Sequence, residues 1–311
     1  MNLKVLLILI FFIVIKSGQL QANEEFKIII KVENEIITNI DLINEKNYLS
    51  ALNNEILNLP EDKSLLLARN SIIKEKIKLN EINKHYKEGY KYKISQSMLK
   101  GLANKIGLNT VEELENYFLK FNLDLNFVKN KMKNADMWNR IIYKKYNNQI
   151  NIDNEELKNR LRIESGNNNT VIEYNLSEIQ FTLNINETLE QKYSKIIQTI
   201  NKDGFKVASN LHSVSETSDF GGKIGWINKT SMPRTILNEL EKLKIGELTK
   251  PIKIRNLFLI IKIEDKKESK IEIDFDKELE KLINFEKNKQ FNQFSLIYLN
   301  KIKQNIFISD Q

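Results

Sequence analysis

The amino-acid sequence predicts an α+β protein: a mainly helical N-terminal part, then a compact domain in the order strand, helix, turn, helix, strand, then a closing helix. Three observations carry this prediction. Apolar residues recur at spacings of three and four from about 39 to 165. The alternating run 171–181 and the apolar run 257–263 read as strands bracketing two helical patterns. After Lys270 an amphipathic pattern resumes and runs nearly to the end. At 311 residues the chain is long enough for two domains. With 41% hydrophobic and 29% charged residues but only three prolines and ten glycines, it belongs with ordinary globular proteins rather than disordered or fibrous ones.

The first element is the stretch MNLKVLLILIFFIVIKSGQLQA, which places Lys4 before an uncharged apolar run at 5–15 and a polar stretch ending in Ala22. This is the layout of a secretory signal peptide, predicted at 1–22 with cleavage near Ala22 and export of the mature chain, although Leu20 is large for its place in such a site. The apolar run is short of the roughly 20 residues that cross a bilayer, so a retained membrane anchor is the alternative. The absence of cysteine excludes thiol catalysis and cysteine metal sites. Only His85 and His212 could supply imidazole. The net charge of +7, or +5 once Lys4 and Lys16 leave with the leader, is spread along helical faces, whereas nucleic-acid binding needs a concentrated stripe.

In the mature part, runs at 28–32 and 35–38 around Glu33 and Asn34 predict a β-hairpin. Asn39 or Asp41 is the expected cap of the helix that follows. Residues 64–90 predict a second helix, Thr110 starts another as a capping-box variant, and 124–150 predicts the longest, with Leu125, Val128, Met132, Trp138, Ile141 and Ile142 as core candidates. GNNN at 166–169 marks a boundary. Beyond it come the strand at 171–181, helices at about 187–200 and 233–243, and the strand at 257–263. The closing helix carries Leu279, Leu282, Ile283, Phe291, Phe294, Ile297 and Leu299, more apolar surface than a lone helix can hide. The helical N-terminal part is its expected acceptor.

One stretch is not explained by patterning. SETSDFGGKIGW at 215–226 gathers three of the ten glycines and one of two tryptophans. A tight turn accounts for Gly221 and Gly222, but not for the Gly225-Trp226 pair that follows at once. Together with YNLSEIQF at 174–181, SMPRTILNELEKLKIGELTKPI at 231–252 and LFLIIKIED at 257–265, this stretch resembles the parvulin-type peptidyl-prolyl isomerase domain, its glycines looking like that family's Gly-Gly-x-x-Gly-Trp turn. The VENEIIT hairpin and the closing FNQFSLIYLNKIKQNIFI additionally resemble the SurA-type periplasmic chaperones, which commonly hold two parvulin domains where this chain has room for one.

After the predicted signal peptide at 1–22, the resemblance implies a SurA-like helical domain at 23–170, a parvulin-like domain of helices around an antiparallel sheet at 171–267, and a C-terminal helix at 268–311 packing back on the helical domain. It implies a chaperone of unfolded outer-membrane or exported polypeptides, in transient contact with the outer-membrane assembly machinery, needing no cofactor, metal or nucleic acid. It also tests the chemistry. Active parvulins hold two histidines, a Cys or Asp, and a Met and Phe lining the proline pocket. These positions fall here on Glu178 and Leu259, on Ser215, and on Met232 and Ile236. Only Met232 is kept, so no catalytic residue is assigned. Glu178 is either a lone buried carboxylate in need of partners or a strand residue turned to solvent. His212 reads as a partly buried structural histidine. A degenerate isomerase domain on a chaperone is the leading reading; an active isomerase is the alternative, and a membrane-anchored foldase the third.

Overall fold

The structure, a computed structural model, describes residues 26–86, 92–165, 170–184, 186–270 and 274–311. The predicted leader, with its cleavage site, and the GNNN boundary lie outside them.

β1 (Ile28–Val32) and β2 (Glu35–Thr38) form the hairpin, turning at Glu33 with φ of 52°. Thr38, and not Asn39 or Asp41, caps helix α1 (Asn39–Leu52): its hydroxyl accepts from the Asp41 amide while the Asp41 carboxylate accepts from the Thr38 amide. A strand-ending threonine thus doubles as the cap, and Asp41 is its reciprocal third helical residue. α2 (Glu61–His85), α3 (Gln96–Lys105), α4 (Val111–Leu119), α5 (Leu125–Tyr146) and α6 (Asn154–Ser165) complete the helical part. At α4 the Thr110 hydroxyl accepts from the Glu113 amide, but Glu113 answers the Asn109 amide, one residue before the cap.

The closing helix, α10 (Phe275–Lys303), lies against α2, α5 and α6. The Trp138 indole on α5 donates to Ser295 Oγ at 2.8 Å and stacks on Tyr298, while Tyr146 stacks on Phe294 with ring centres 4.6 Å apart. The Tyr298 hydroxyl donates to the buried Glu81 carboxylate. Burial would raise the Glu81 pKa, but hydrogen bonds from Tyr298, Lys84 and His85 outweigh it and hold it below the usual range. Ile297, expected on the apolar face, is 51% exposed, and neighbouring Leu296 and Tyr298 are buried instead. Beyond α10, β7 (Ile308–Asp310) pairs antiparallel with β1, giving a sheet in the order β2-β1-β7.

The second sheet is antiparallel, ordered β4-β3-β6-β5, from β3 (Thr170–Phe181), β4 (Lys223–Asn228), β5 (Ile252–Ile254) and β6 (Leu257–Lys270). Against one face pack α7 (Leu189–Asp203) and α8 (Phe205–His212), through Ile196, Phe205 and Ala208 on Ile179, Phe181 and Ile260. Against the other packs α9 (Arg234–Leu240), through Ile236, Leu237 and Leu240 on Leu176, Leu259 and Ile261. Strand alternation therefore sorts β3: even-numbered Tyr174, Leu176 and Glu178 face α9, odd-numbered Ile179 and Phe181 face α8. The Gly225-Trp226 pair is not part of a turn. It belongs to β4, where Gly225 pairs with Leu176 and Trp226 with Asn175.

Candidate functional site

On the α9 face of the second sheet lies a cavity of about 200 Å³. The five positions singled out by the resemblance divide between its wall and its floor. Met232, just before α9, Ile236, in its first turn, and Leu259, from β6, are buried on its apolar wall. Glu178 also lines it and is only 7% exposed, which removes the reading of a solvent-facing strand residue. Its register explains why: Glu178 stands opposite Ile261, and Gln180 opposite Leu259, on the buried face.

The Glu178 carboxylate is held by neutral donors. Its Oε1 accepts from Ser215 Oγ at 2.8 Å and Thr217 Oγ1 at 3.0 Å, and its Oε2 accepts from Gln180 Nε2 at 2.8 Å. Ser215 thus touches the carboxylate from beneath the pocket, without lining it. Thr217 and Gln180 were not singled out from the sequence. Gln180 could have been, since it shares a strand face with Glu178 two residues away.

The glycine pair explains how the loop reaches the strand. A single 3-10 turn (Glu216–Phe220) ends at Gly221 in the left-handed region, with φ of 65°, and Gly222 follows with φ of 81°. Gly222 O accepts from the Glu178 amide at 2.8 Å. A Cβ on Gly222 would stand 2.3 Å from Glu178 O and 2.6 Å from Ser209 Oγ, so only glycine permits this approach.

One wall of the pocket comes from outside the second sheet. Phe285, Asn288, Lys289, Asn292 and Gln293 on α10 close it, with Gln293 Oε1 accepting from Arg255 Nη1 at 3.0 Å. The long connection from α10 to this pocket left no sequence signal.

A second cavity, of about 310 Å³, lies on the other side of the Glu216–Phe220 turn, between it and helices α1, α2, α5 and α10. It is charged. Lys131 bridges Glu45 and Glu75, and Lys78 pairs with Glu216 at 3.3 Å. Burial lowers the pKa of Lys74 and Lys105, with Asp219 opposing the shift. Lys105 places its ammonium 3.4 Å from the centre of the Phe220 ring. This cavity joins the two parts electrostatically; the smaller one offers an apolar surface for a ligand.

His212 lines neither cavity. Its Nε2 lies 2.8 Å from Thr199 Oγ1 between α8 and α7, and burial, reinforced by the charges of Lys192 and Lys195, lowers its pKa to about 4. In the unfolded chain the imidazole takes a proton near 6.5, so between the two values the unfolded state binds more protons and stability falls as pH falls. Urea unfolding of the wild type is expected to lose about 2–3 kcal/mol more than His212→Gln between pH 7 and pH 4. Parallel profiles for the two proteins would contradict this.

Residues 177–265 match the family model described as Rotamase, PPIC-type PPIASE domain. Among curated proteins the chain is 25% identical over 152 residues to chaperone SurA of Pseudomonas putida, covering 47% of this chain and 36% of that protein. It is 21% identical over 204 residues to chaperone SurA of Idiomarina loihiensis, covering 62% of this chain and 47% of that one. The chain thus spans between a third and a half of these relatives. Among solved structures, a PpiC-type peptidyl-prolyl cis-trans isomerase domain is 28% identical, with 32% of this chain and 94% of that chain covered at a TM-score of 0.27. A SurA-like chaperone of Campylobacter jejuni is 15% identical, with 91% and 98% covered at a TM-score of 0.32. A PPIC-type domain at 177–265 thus stands beside a helical body. Over the stretches given, the chain is similar to the SurA chaperones.

Proposed function

We propose that this protein is a periplasmic chaperone that holds unfolded outer-membrane polypeptides, and that its PPIC-type domain supplies an apolar binding pocket without isomerase chemistry. The observation that carries the reading is the closed network at the pocket floor. Glu178, Ser215, Thr217 and Gln180 satisfy one another, and neither of the chain's two histidines lines the cavity. Rotation about a peptide bond meets a barrier of about 18–20 kcal/mol, and its catalysis needs polar groups that favour the twisted amide over the planar one. The ring of Met, Ile and Leu can seat an apolar side chain, while the carboxylate beneath it, already engaged by three donors, gives the twisted state little extra. The likeness to SurA supports the chaperone class, and the predicted leader supports export.

A protease-coupled assay on prolyl peptides, run beside suppression of aggregation of an unfolded outer-membrane protein, tests both halves. The expected result is suppression of aggregation at near-equimolar protein, with X-Pro isomerisation left at its uncatalysed rate of tens of seconds. A tenfold or greater acceleration would establish the isomerase alternative.

A further inference from the structure

We infer that the pocket selects polypeptide segments in which a lysine or arginine lies two residues from an apolar side chain, with Glu178 receiving the basic group. This rests on the reading of the cavity as a peptide site and names the chemistry it recognises.

The wall formed by Met232, Ile236 and Leu259 is apolar, yet the floor carries a carboxylate. Every donor bonded to Glu178 is an uncharged hydroxyl or amide. These three bonds put two donors on Oε1 and one on Oε2, leave Oε2 room for a further donor and do not neutralise the charge, and a buried charge gains most from a counter-ion. The lysine on the cavity wall does not provide one: Lys289 pairs with Glu286 on its own helix, at 3.3 Å. The pocket therefore presents a carboxylate with no cationic partner among the described residues beneath an apolar ring. A single carboxylate is a poor metal site, since hard cations gather several oxygens. An ammonium or guanidinium on a flexible stem fits better, because its methylenes lie along the apolar wall while its head reaches the carboxylate. In an extended chain, residues two positions apart face the same way about 7 Å from each other, so the same segment can fill the ring and reach the floor. Asn288, Asn292 and Gln293 on α10 offer amide groups along the route.

The test uses the full chain and two fluorescent peptides, identical except that one carries arginine and the other citrulline, its neutral isostere, two residues from a leucine. Anisotropy titration is expected to show the arginine peptide binding about tenfold more tightly, with the preference shrinking as salt rises. Glu178→Gln keeps the size of the side chain, removes its charge and exchanges one acceptor oxygen for an amide donor, and is expected to bring the two affinities together. Equal affinity of both peptides for the wild type would overturn the inference while leaving the pocket a peptide site. So would a preference that survives Glu178→Gln. Failure of both peptides to bind would overturn the peptide-site reading itself, and the inference with it. The wild-type comparison stands whether or not the variant folds.

Discussion

Removing residues 271–311 is expected to abolish cooperative unfolding of the helical part, or to lower its melting temperature by more than about 10 °C, and to make the protein aggregate. α10 inserts Leu282, Leu296, Tyr298 and Leu299 into buried positions. Each large apolar side chain is worth about 1.5–3 kcal/mol when buried, so four of them approach the whole net stability of a domain, about 5–15 kcal/mol. The deletion also strips Ser295 from the Trp138 indole and leaves that fully buried tryptophan facing water. It takes β7 from the edge of β1, and it takes Tyr298 from Glu81, which keeps its buried carboxylate with fewer donors. Differential scanning calorimetry and light scattering of the truncated protein give the answer. A truncated protein that melts and stays in solution like the full chain would show that α10 contributes only a pocket wall.

The same helix shows how far the sequence could be read. Its amphipathic pattern reveals that it must dock, because a solitary helix cannot hide that many apolar residues. The pattern does not reveal that the helix also closes the pocket of the second sheet with Phe285, Asn288 and Gln293, since such a contact depends on how two units are placed in space. β7 escaped for another reason: three residues are too few for a periodicity. The cap of α1 was missed because Thr38 is β-branched and ends a strand, so its second role as a cap is hidden by its first. At the pocket, four of the five positions reached through the family resemblance line one cavity, and the fifth, Ser215, bonds to one of the four. Alternation along β3 puts Glu178 on the same face as Leu176 but left open whether that face is buried, and the structure buries it. What alternation could not supply was the identity of its partners, because Ser215 and Thr217 arrive from a turn almost forty residues away in the chain.

That turn is where a single methyl group is expected to do the most damage. Gly222→Ala should destabilise the second domain by about 3–5 kcal/mol, enough to leave much of it unfolded at 25 °C. Two effects add at this position. The φ of 81° is strained for any side chain, and the new Cβ would come 2.3 Å from the carbonyl oxygen of Glu178, a backbone atom of the central strand. That oxygen already accepts from Ser209 Oγ at 3.1 Å, and β3 cannot retreat without breaking its ladders to β4 and β6. Gly221, with φ of 65°, would bring a Cβ 2.6 Å from Lys206 Cβ, which is fixed to the backbone of α8 and must shift with it, but it meets no atom of the central strand, so alanine there should cost less than at Gly222. Gly225 has φ of 95° and open space around the position of a Cβ, so its alanine variant carries backbone strain alone, about 1–2 kcal/mol. Urea unfolding of the three variants should therefore rank Gly222→Ala as the most damaging and Gly225→Ala as the least, with the prolyl isomerisation rate at background in every case. Equal losses at all three positions would mean that backbone conformation alone requires these glycines. A stable Gly222→Ala protein would mean that the loop does not approach Glu178 as closely as the hydrogen bonds across the turn imply.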